Sequence, residues 1–239
     1  MSDHNISSDS IKRLVKDVKE AMHKDLSKDG IYYKHDQSNM LIGYALIIGN
    51  IDTPYAYGNF LFKFCFPQDY PYSPPVVNYL TNDGKTRFHP NLYKNEKVCL
   101  SILNTWKGEG WTSCQSISSI LLTIKSILDD KPLIHEPGIT LNHKDFNFYN
   151  EIIKYKTLET AIIDVLSNKI YPEICEIFLN EILENFNINY DKILALIADS
   201  SEIHEVKTNI YRMEVKINYL KCKKEVIRIN KSIKSKIDI

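Results

Sequence analysis

Four prolines fall within nine residues in Pro67-Gln68-Asp69-Tyr70-Pro71-Tyr72-Ser73-Pro74-Pro75. Each fixes φ near −65° and removes a backbone donor, so the segment can be neither a helix interior nor a central strand. It reads as a rigid extended connection between strands. Residues 31–33, 40–48 and 59–66 precede it as short runs rich in Ile, Tyr and Phe, and 76–80 follows it. Gly, Pro, Asn and Asp punctuate these runs, which predicts a four-stranded antiparallel meander joined by short turns.

Helical periods flank the meander. In 10–26, Ile11, Leu14, Val15, Val18 and Met22 recur as an apolar stripe, with Ser8 or Ser10 as the cap. Lys12, Arg13, Lys16 and Lys19 form a basic outer face. Residues 82–110 carry no long period, and so long a loop in a compact domain is more often functional than idle. Helix returns over 113–128, with Ile117, Ile120, Leu121, Ile124 and Leu128 in phase, and again over 148–166. Beyond, helices are expected at 173–185, 190–198 and 201–236. This order is α+β rather than alternating βαβ. It divides into a core at 8–166 and a helical C-terminal extension at 167–239.

The charge balance narrows the partners. Lys plus Arg and Asp plus Glu stand at 30 each, so there is no general pull toward nucleic acid or membrane. Acids are in excess from 129 to 204 and bases from 205 onward. The five cysteines, Cys65, Cys99, Cys114, Cys175 and Cys222, are odd in number and scattered. They form neither a disulfide framework nor a zinc pattern, and no cofactor is expected. The residues Met1-Ser2-Asp3-His4-Asn5 lack an apolar signal core. A cytosolic or nucleocytosolic protein is expected.

Several motifs occur in a fixed order. They are Gly49-Asn50-Ile51-Asp52-Thr53-Pro54-Tyr55-Ala56-Tyr57-Gly58-Asn59-Phe60, the proline-rich loop, His89-Pro90-Asn91, Cys99 eight residues after Asn91, and Trp111. Together they resemble the catalytic core of ubiquitin-conjugating enzymes, over roughly 10–166. The run from Lys97 to Trp106, with Gln115 to Ser119, Glu136-Pro137-Gly138 and Tyr149-Asn150-Glu151, resembles the large members with C-terminal extensions. The resemblance implies the conjugating-enzyme fold. It also implies thioester exchange, in which Cys99 carries ubiquitin or a ubiquitin-like modifier received from an activating enzyme. The cargo then passes to a substrate lysine or a ligase cysteine. Some large members use a second activating enzyme and a second modifier, and that choice stays open here.

The resemblance also assigns roles. Asn91 would donate to the oxyanion formed when an amine attacks the thioester, or hold the Cys99 loop in shape. His135, on the loop beyond the helix after the cysteine, would accept the amine's proton. Lys12 and Arg13, with Tyr72, Trp111 and Cys114, fall where the family meets its activating enzyme and ligase. Leu122 and Ser126 fall where it holds the donor modifier. Taken alone, Cys99 would read as a buried structural cysteine, Leu122 as helix packing and the basic face as solvated surface. His89 reads as a structural histidine, Tyr55, Tyr57 and Tyr70 as core, and Trp106 and Trp111 as braces of the active-site loop. The final basic helix is expected to pack on the acidic segment before it.

The chain departs from the family pattern at Asn50 for proline, Glu96 for glycine and Thr112-Ser113 for Ser-Pro. A glycine at the Glu96 position would suit positive φ, where a glutamate is strained. Two other readings compete: an inactive adaptor of the same fold, and a cysteine hydrolase with a Cys99–His135 dyad.

Overall fold

The computed structural model describes residues 6–197 and 203–237. The residues Met1 to Asn5, and the expected helix ends at Ala198 and Ser201, lie outside them. Helix α1 (Ser8–His23) starts where the Ser7 hydroxyl accepts the Ser10 N–H at 3.1 Å. Its inward face carries Ser10, Leu14, Asp17 and Ala21. Val15 and Met22, expected in the apolar stripe, are 42% and 54% exposed. The carboxylate explains the difference. Asp17 pairs with Arg13 at 2.9 Å and accepts from the Tyr70 hydroxyl, so it is buried in place of an apolar side chain.

The meander forms as expected. Strands β1 (Ile31–His35), β2 (Ile42–Ile48), β3 (Asn59–Cys65) and β4 (Val76–Tyr79) pair in sequence order, all antiparallel. Side chains alternate between two buried layers. Ala45, Ile47, Phe60, Phe62 and Phe64 join Leu14 of α1 and Ile120 and Leu121 of α2 (Ile117–Ile127) in the main core. Leu46, Leu61 and Leu80 meet Ile174, Cys175, Phe178 and Ile182 on the other face. At the β2–β3 turn only glycine fits at position 49, because a Cβ there would lie 1.8 Å from the Tyr55 carbonyl oxygen.

Helix α3 (Phe146–Lys156) continues as a π-helical stretch, Thr157–Asp164. There the Ala161 carbonyl turns to accept the Asn59 side-chain amide at 3.1 Å. A side chain that takes a helix carbonyl is a recognised cause of such widening.

The extension departs from the all-helical expectation. The span 201–236 contains a hairpin, β5 (His204–Thr208) with β6 (Met213–Ile217), before a helix at Tyr219–Ile237 (labelled α6 below). Burial alternates strictly along β6, with Met213, Val215 and Ile217 inward and Glu214 and Lys216 outward. That period of two is too short to stand out beside the long basic run that follows. The spans 173–185 and 190–198 also differ from expectation. The structure has a short α4 (Pro172–Ile177) and one continuous α5 (Leu179–Leu196), which no Gly or Pro interrupts. Among the described residues the extension shares its interior with the core: Phe186, Ile193, Val206, Ile217 and Val226 belong to the same apolar cluster as Phe60 and Leu121.

Candidate active site

The segment leading into the site is held by two buried phenols. Tyr55 donates to the Phe88 carbonyl at 2.7 Å and Tyr149 to the Arg87 carbonyl at 2.8 Å. Burial pushes both phenols well above the usual tyrosine range, so they remain donors at ordinary pH. The Arg87 guanidinium donates to the carbonyls of His89, at 3.1 Å, and Pro90. Its face lies 3.3 Å from the centre of the Tyr93 ring and 5.0 Å from that of Tyr211.

His89 is fully buried, and its Nδ1 accepts the Asn91 N–H at 3.0 Å. Its Nε2 has no well-formed hydrogen bond. Burial, then the charges of His135 and Arg87, hold this imidazole well below its ordinary pKa. A neutral ring with Nδ1 as acceptor is a structural element, as expected.

Asn91 and Cys99 face each other across the loop. The Cys99 N–H donates to the Asn91 carbonyl at 2.8 Å, and the Asn91 amide donates back to the Cys99 carbonyl. Cys99 is 2% exposed, and its thiol donates to the Thr105 carbonyl. The Thr105 hydroxyl knits the same turn: it accepts the Leu100 N–H at 2.9 Å and lies 3.0 Å from the Val98 carbonyl.

Glu96 adopts φ 70°, the conformation expected to strain a glutamate. Its carboxylate is held by the Tyr171 hydroxyl from the extension. That bond, more than burial, pushes the Tyr171 pKa up to about 12.

The other wall is a single helical turn, Pro132–His135. His135 Nε2 lies 2.7 Å from the Asp129 carboxylate, and its ring centre is 4.9 Å from that of His89. It therefore packs against His89, the ring that accepts the Asn91 N–H. Among the described residues no hydrogen bond joins it to Cys99, so the dyad of the hydrolase reading is not formed. The next residue, Glu136, accepts the Tyr211 hydroxyl.

The expected docking residues fall into two groups. Arg13 donates to the carbonyls of Ser113 and Gln115, as well as to Asp17, and so fastens α1 to the 111–115 loop. Trp111 donates to the Pro71 carbonyl at 2.7 Å and packs 5.9 Å from Tyr70. Tyr72 and Cys114 stand exposed beside them, and Lys12 is exposed with Asp9 at 3.6 Å. Trp111 thus braces the proline-rich loop, while Trp106 is 43% exposed. On the outer face of α2, Leu122 and Ser126 are exposed.

Sequence reasoning missed Arg87, Thr105, Tyr171 and Tyr211. Arg87 stands two residues before His89, and its position beside the motif was the one available signal. Tyr171 and Tyr211 come from distant chain segments and carried none.

Comparison with known proteins follows the same outline. A family model for ubiquitin-conjugating enzyme matches residues 13–155. Ubiquitin-conjugating enzyme E2 Z of Homo sapiens is 44% identical over 143 residues, which cover 59% of this chain and 40% of that protein. Its Xenopus tropicalis counterpart is 40% identical over 164 residues, covering 67% and 51%. The dual E2 ubiquitin-conjugating enzyme/E3 ubiquitin-protein ligase BIRC6 of Homo sapiens is 37% identical over 181 residues, covering 71% of this chain and 4% of that protein. The chain spans about half or less of the length of these relatives.

Proposed function

This chain belongs to the ubiquitin-conjugating enzyme family, and from that premise we propose that it accepts ubiquitin or a ubiquitin-like modifier on Cys99 and passes it on. The Cys99 thiolate attacks the thioester carried by an activating enzyme. A new sulfur–carbonyl bond forms, the old one breaks, and the departing thiolate takes up a proton. Little catalysis is needed, because sulfur replaces sulfur and the attacking and departing groups are both thiolates. A substrate amine then attacks. Negative charge builds on the carbonyl oxygen, and a nearby donor stabilises it.

The observation that carries this reading is the double link between Asn91 and Cys99. The Asn91 amide already holds the backbone of the nucleophile, which supports its loop-holding role and keeps it close to where the proposed oxyanion would form. His135, oriented by Asp129, is the proposed acceptor of the amine's proton. The surface of Lys12, Arg13, Tyr72, Trp111 and Cys114 is the proposed site for activating enzyme and ligase, and Leu122 with Ser126 the proposed seat of the donor modifier. Five unpaired cysteines suit a reducing compartment, the cytosol or nucleus.

Purified protein incubated with ATP, ubiquitin and each class of activating enzyme should form a thiol-sensitive adduct that is absent in Cys99→Ala. His135→Ala should load normally and discharge to lysine more slowly. The adaptor reading has one observation in its favour: the Cys99 thiol is withdrawn from solvent against Thr105. It predicts a folded protein that takes no adduct from either activating enzyme.

A further inference from the structure

The tip of the β5–β6 hairpin touches both walls of the candidate active site through one residue. Tyr211 donates its hydroxyl to Glu136, the residue after His135. Its ring lies 5.0 Å from the Arg87 guanidinium, which in turn holds the His89 and Pro90 carbonyls just before Asn91. Its own carbonyl accepts Lys94 Nζ, from the turn between Asn91 and Cys99, at 3.3 Å.

This placement is built rather than incidental. Tyr211 and Arg212 are consecutive left-handed residues, at φ 58° and 49°, a conformation side chains avoid unless the surroundings impose it. The imposing group is Asp145 at the start of α3. Its carboxylate accepts the Ile210 N–H at 2.8 Å and the Asn209 amide at 3.2 Å. Met213 closes the other side, with its sulfur 3.3 Å from the Arg87 N–H.

The wall it reaches is the turn that carries His135, which is also held by buried Pro132 and Leu133 and by the His135–Asp129 contact at 2.7 Å. The Pro132–His135 turn is a single turn, closed by the Glu136 N–H on the Leu133 carbonyl at 3.1 Å. Anchoring the Glu136 side chain holds the end of that turn, one residue beyond His135.

We infer that Tyr211 is a positioning residue for amine attack on the Cys99 thioester: it locks the His135 turn to the Asn91 segment, so the extension completes the active site. This rests on the conjugating reading. Tyr211 touches neither nucleophile nor acceptor and acts through Glu136 and Arg87. Thioester exchange at Cys99 has no amine proton to remove, so it depends on the His135 turn less than aminolysis does. Aminolysis, which needs both walls in register, depends on Tyr211.

The test separates the two steps in the full chain. Tyr211→Phe removes the hydroxyl and keeps the ring over Arg87. Single-turnover discharge of the loaded protein to free lysine should fall about five- to tenfold at saturating lysine, with loading rate unchanged and Tm lowered by no more than a few degrees. Glu136→Gln keeps an acceptor for the hydroxyl and should discharge nearly as the unsubstituted chain does. Glu136→Ala should fall as far as Tyr211→Phe, and the double variant no further, because one bond is lost in each case. Equal discharge by Tyr211→Phe, additive losses in the double variant, or a parallel loss of loading and Tm would overturn the inference. If the unsubstituted chain takes no modifier, the conjugating reading itself fails. If it loads and Tyr211→Phe discharges at the same rate, only the positioning role fails.

Discussion

Asn91 and Cys99 are joined in both directions, main chain to main chain and side chain to main chain, although eight residues separate them. The loop between them is closed by its own ends. The first prediction concerns this closure. Asn91→Ala leaves the Cys99 carbonyl without its donor, at a cost of about 1–3 kcal/mol in stability. It also removes the proposed oxyanion donor, a loss worth about 10²-fold or more in rate. Discharge to lysine should therefore fall far more than thioester loading. Equal falls in both would assign Asn91 a scaffolding role alone.

The burial of His89 gives an acid limit to stability. Its imidazole titrates well below the ordinary value of about 6.5 in the folded chain. Below pH 6.5 the unfolded chain takes up a proton that the folded chain refuses, so stability falls as pH falls through that window. His35, also held low chiefly by burial, adds to the slope. Urea midpoints between pH 7.5 and 5 should drop, and the drop should be shallower in His89→Asn. A variant with the same slope as the unsubstituted chain would show that His89 titrates normally.

At the alkaline end Lys125 sets a second slope of the same sign. It lies on α2 and donates to the Ile48 carbonyl at the end of β2. Burial lowers its pKa to about 8. Between pH 8 and about 10.4, its value in an unfolded chain, the unfolded state binds more protons, so this group's contribution to stability rises with pH. Burial pushes the Cys175 and Cys222 thiols up to about 11, which adds a pH dependence of its own, so the comparison must be with Lys125→Met. The difference in stability between the two proteins should shift in favour of the lysine form as pH goes from 7.5 to 10. A constant difference would show that Lys125 keeps an ordinary pKa.

The legibility of this chain follows the range of its interactions. The sheet was readable because four short β-rich runs and a proline segment state their conformation locally, and the register then follows from alternation. The family motifs pointed to Asn91 and Cys99, which the fold brings together, while the roles of these residues and of His135 rest on the resemblance. The inward turn of Asp17 was not, since its partner Tyr70 is 53 residues away. The same holds for Tyr171 on Glu96 and Tyr211 on Glu136, each 75 residues apart. No periodicity marks a lone tyrosine that closes a distant loop. The hairpin 204–217 was masked for a different reason. Its strands of five residues alternate correctly, but charged residues fill the outer face and merge with the basic helix beyond.

Glu96 supplies a test of strain against attachment. At φ 70° a non-glycine residue costs about 1–2 kcal/mol. Glu96→Gly relieves that strain and loses the bond from Tyr171, so the two changes should nearly offset. Tyr171→Phe loses the bond and keeps the strain, and should be the less stable of the two. Thermal unfolding of both variants decides the order. If Glu96→Gly is clearly the less stable, the carboxylate does more than hold Tyr171.

The last prediction addresses how the thiol becomes available. The Thr105 hydroxyl bonds the backbone on both sides of Cys99, and the Thr105 carbonyl takes the thiol itself. Residues 104–109, which continue this segment, are all exposed, and the Thr105 hydroxyl is the side-chain group that fastens the cover to the backbone beside Cys99. Thr105→Val keeps the bulk and removes the hydroxyl, leaving the Leu100 N–H without its acceptor. The turn should open more often at a modest cost in stability, about 1–3 kcal/mol. Alkylation of Cys99 by iodoacetamide, followed by mass spectrometry of the peptide, should then be several-fold faster than in the unsubstituted chain. Exposed Cys114 should react at the same rate in both and serve as the internal reference. An unchanged Cys99 rate would mean that the thiol is reached by a route that leaves the Thr105 turn closed.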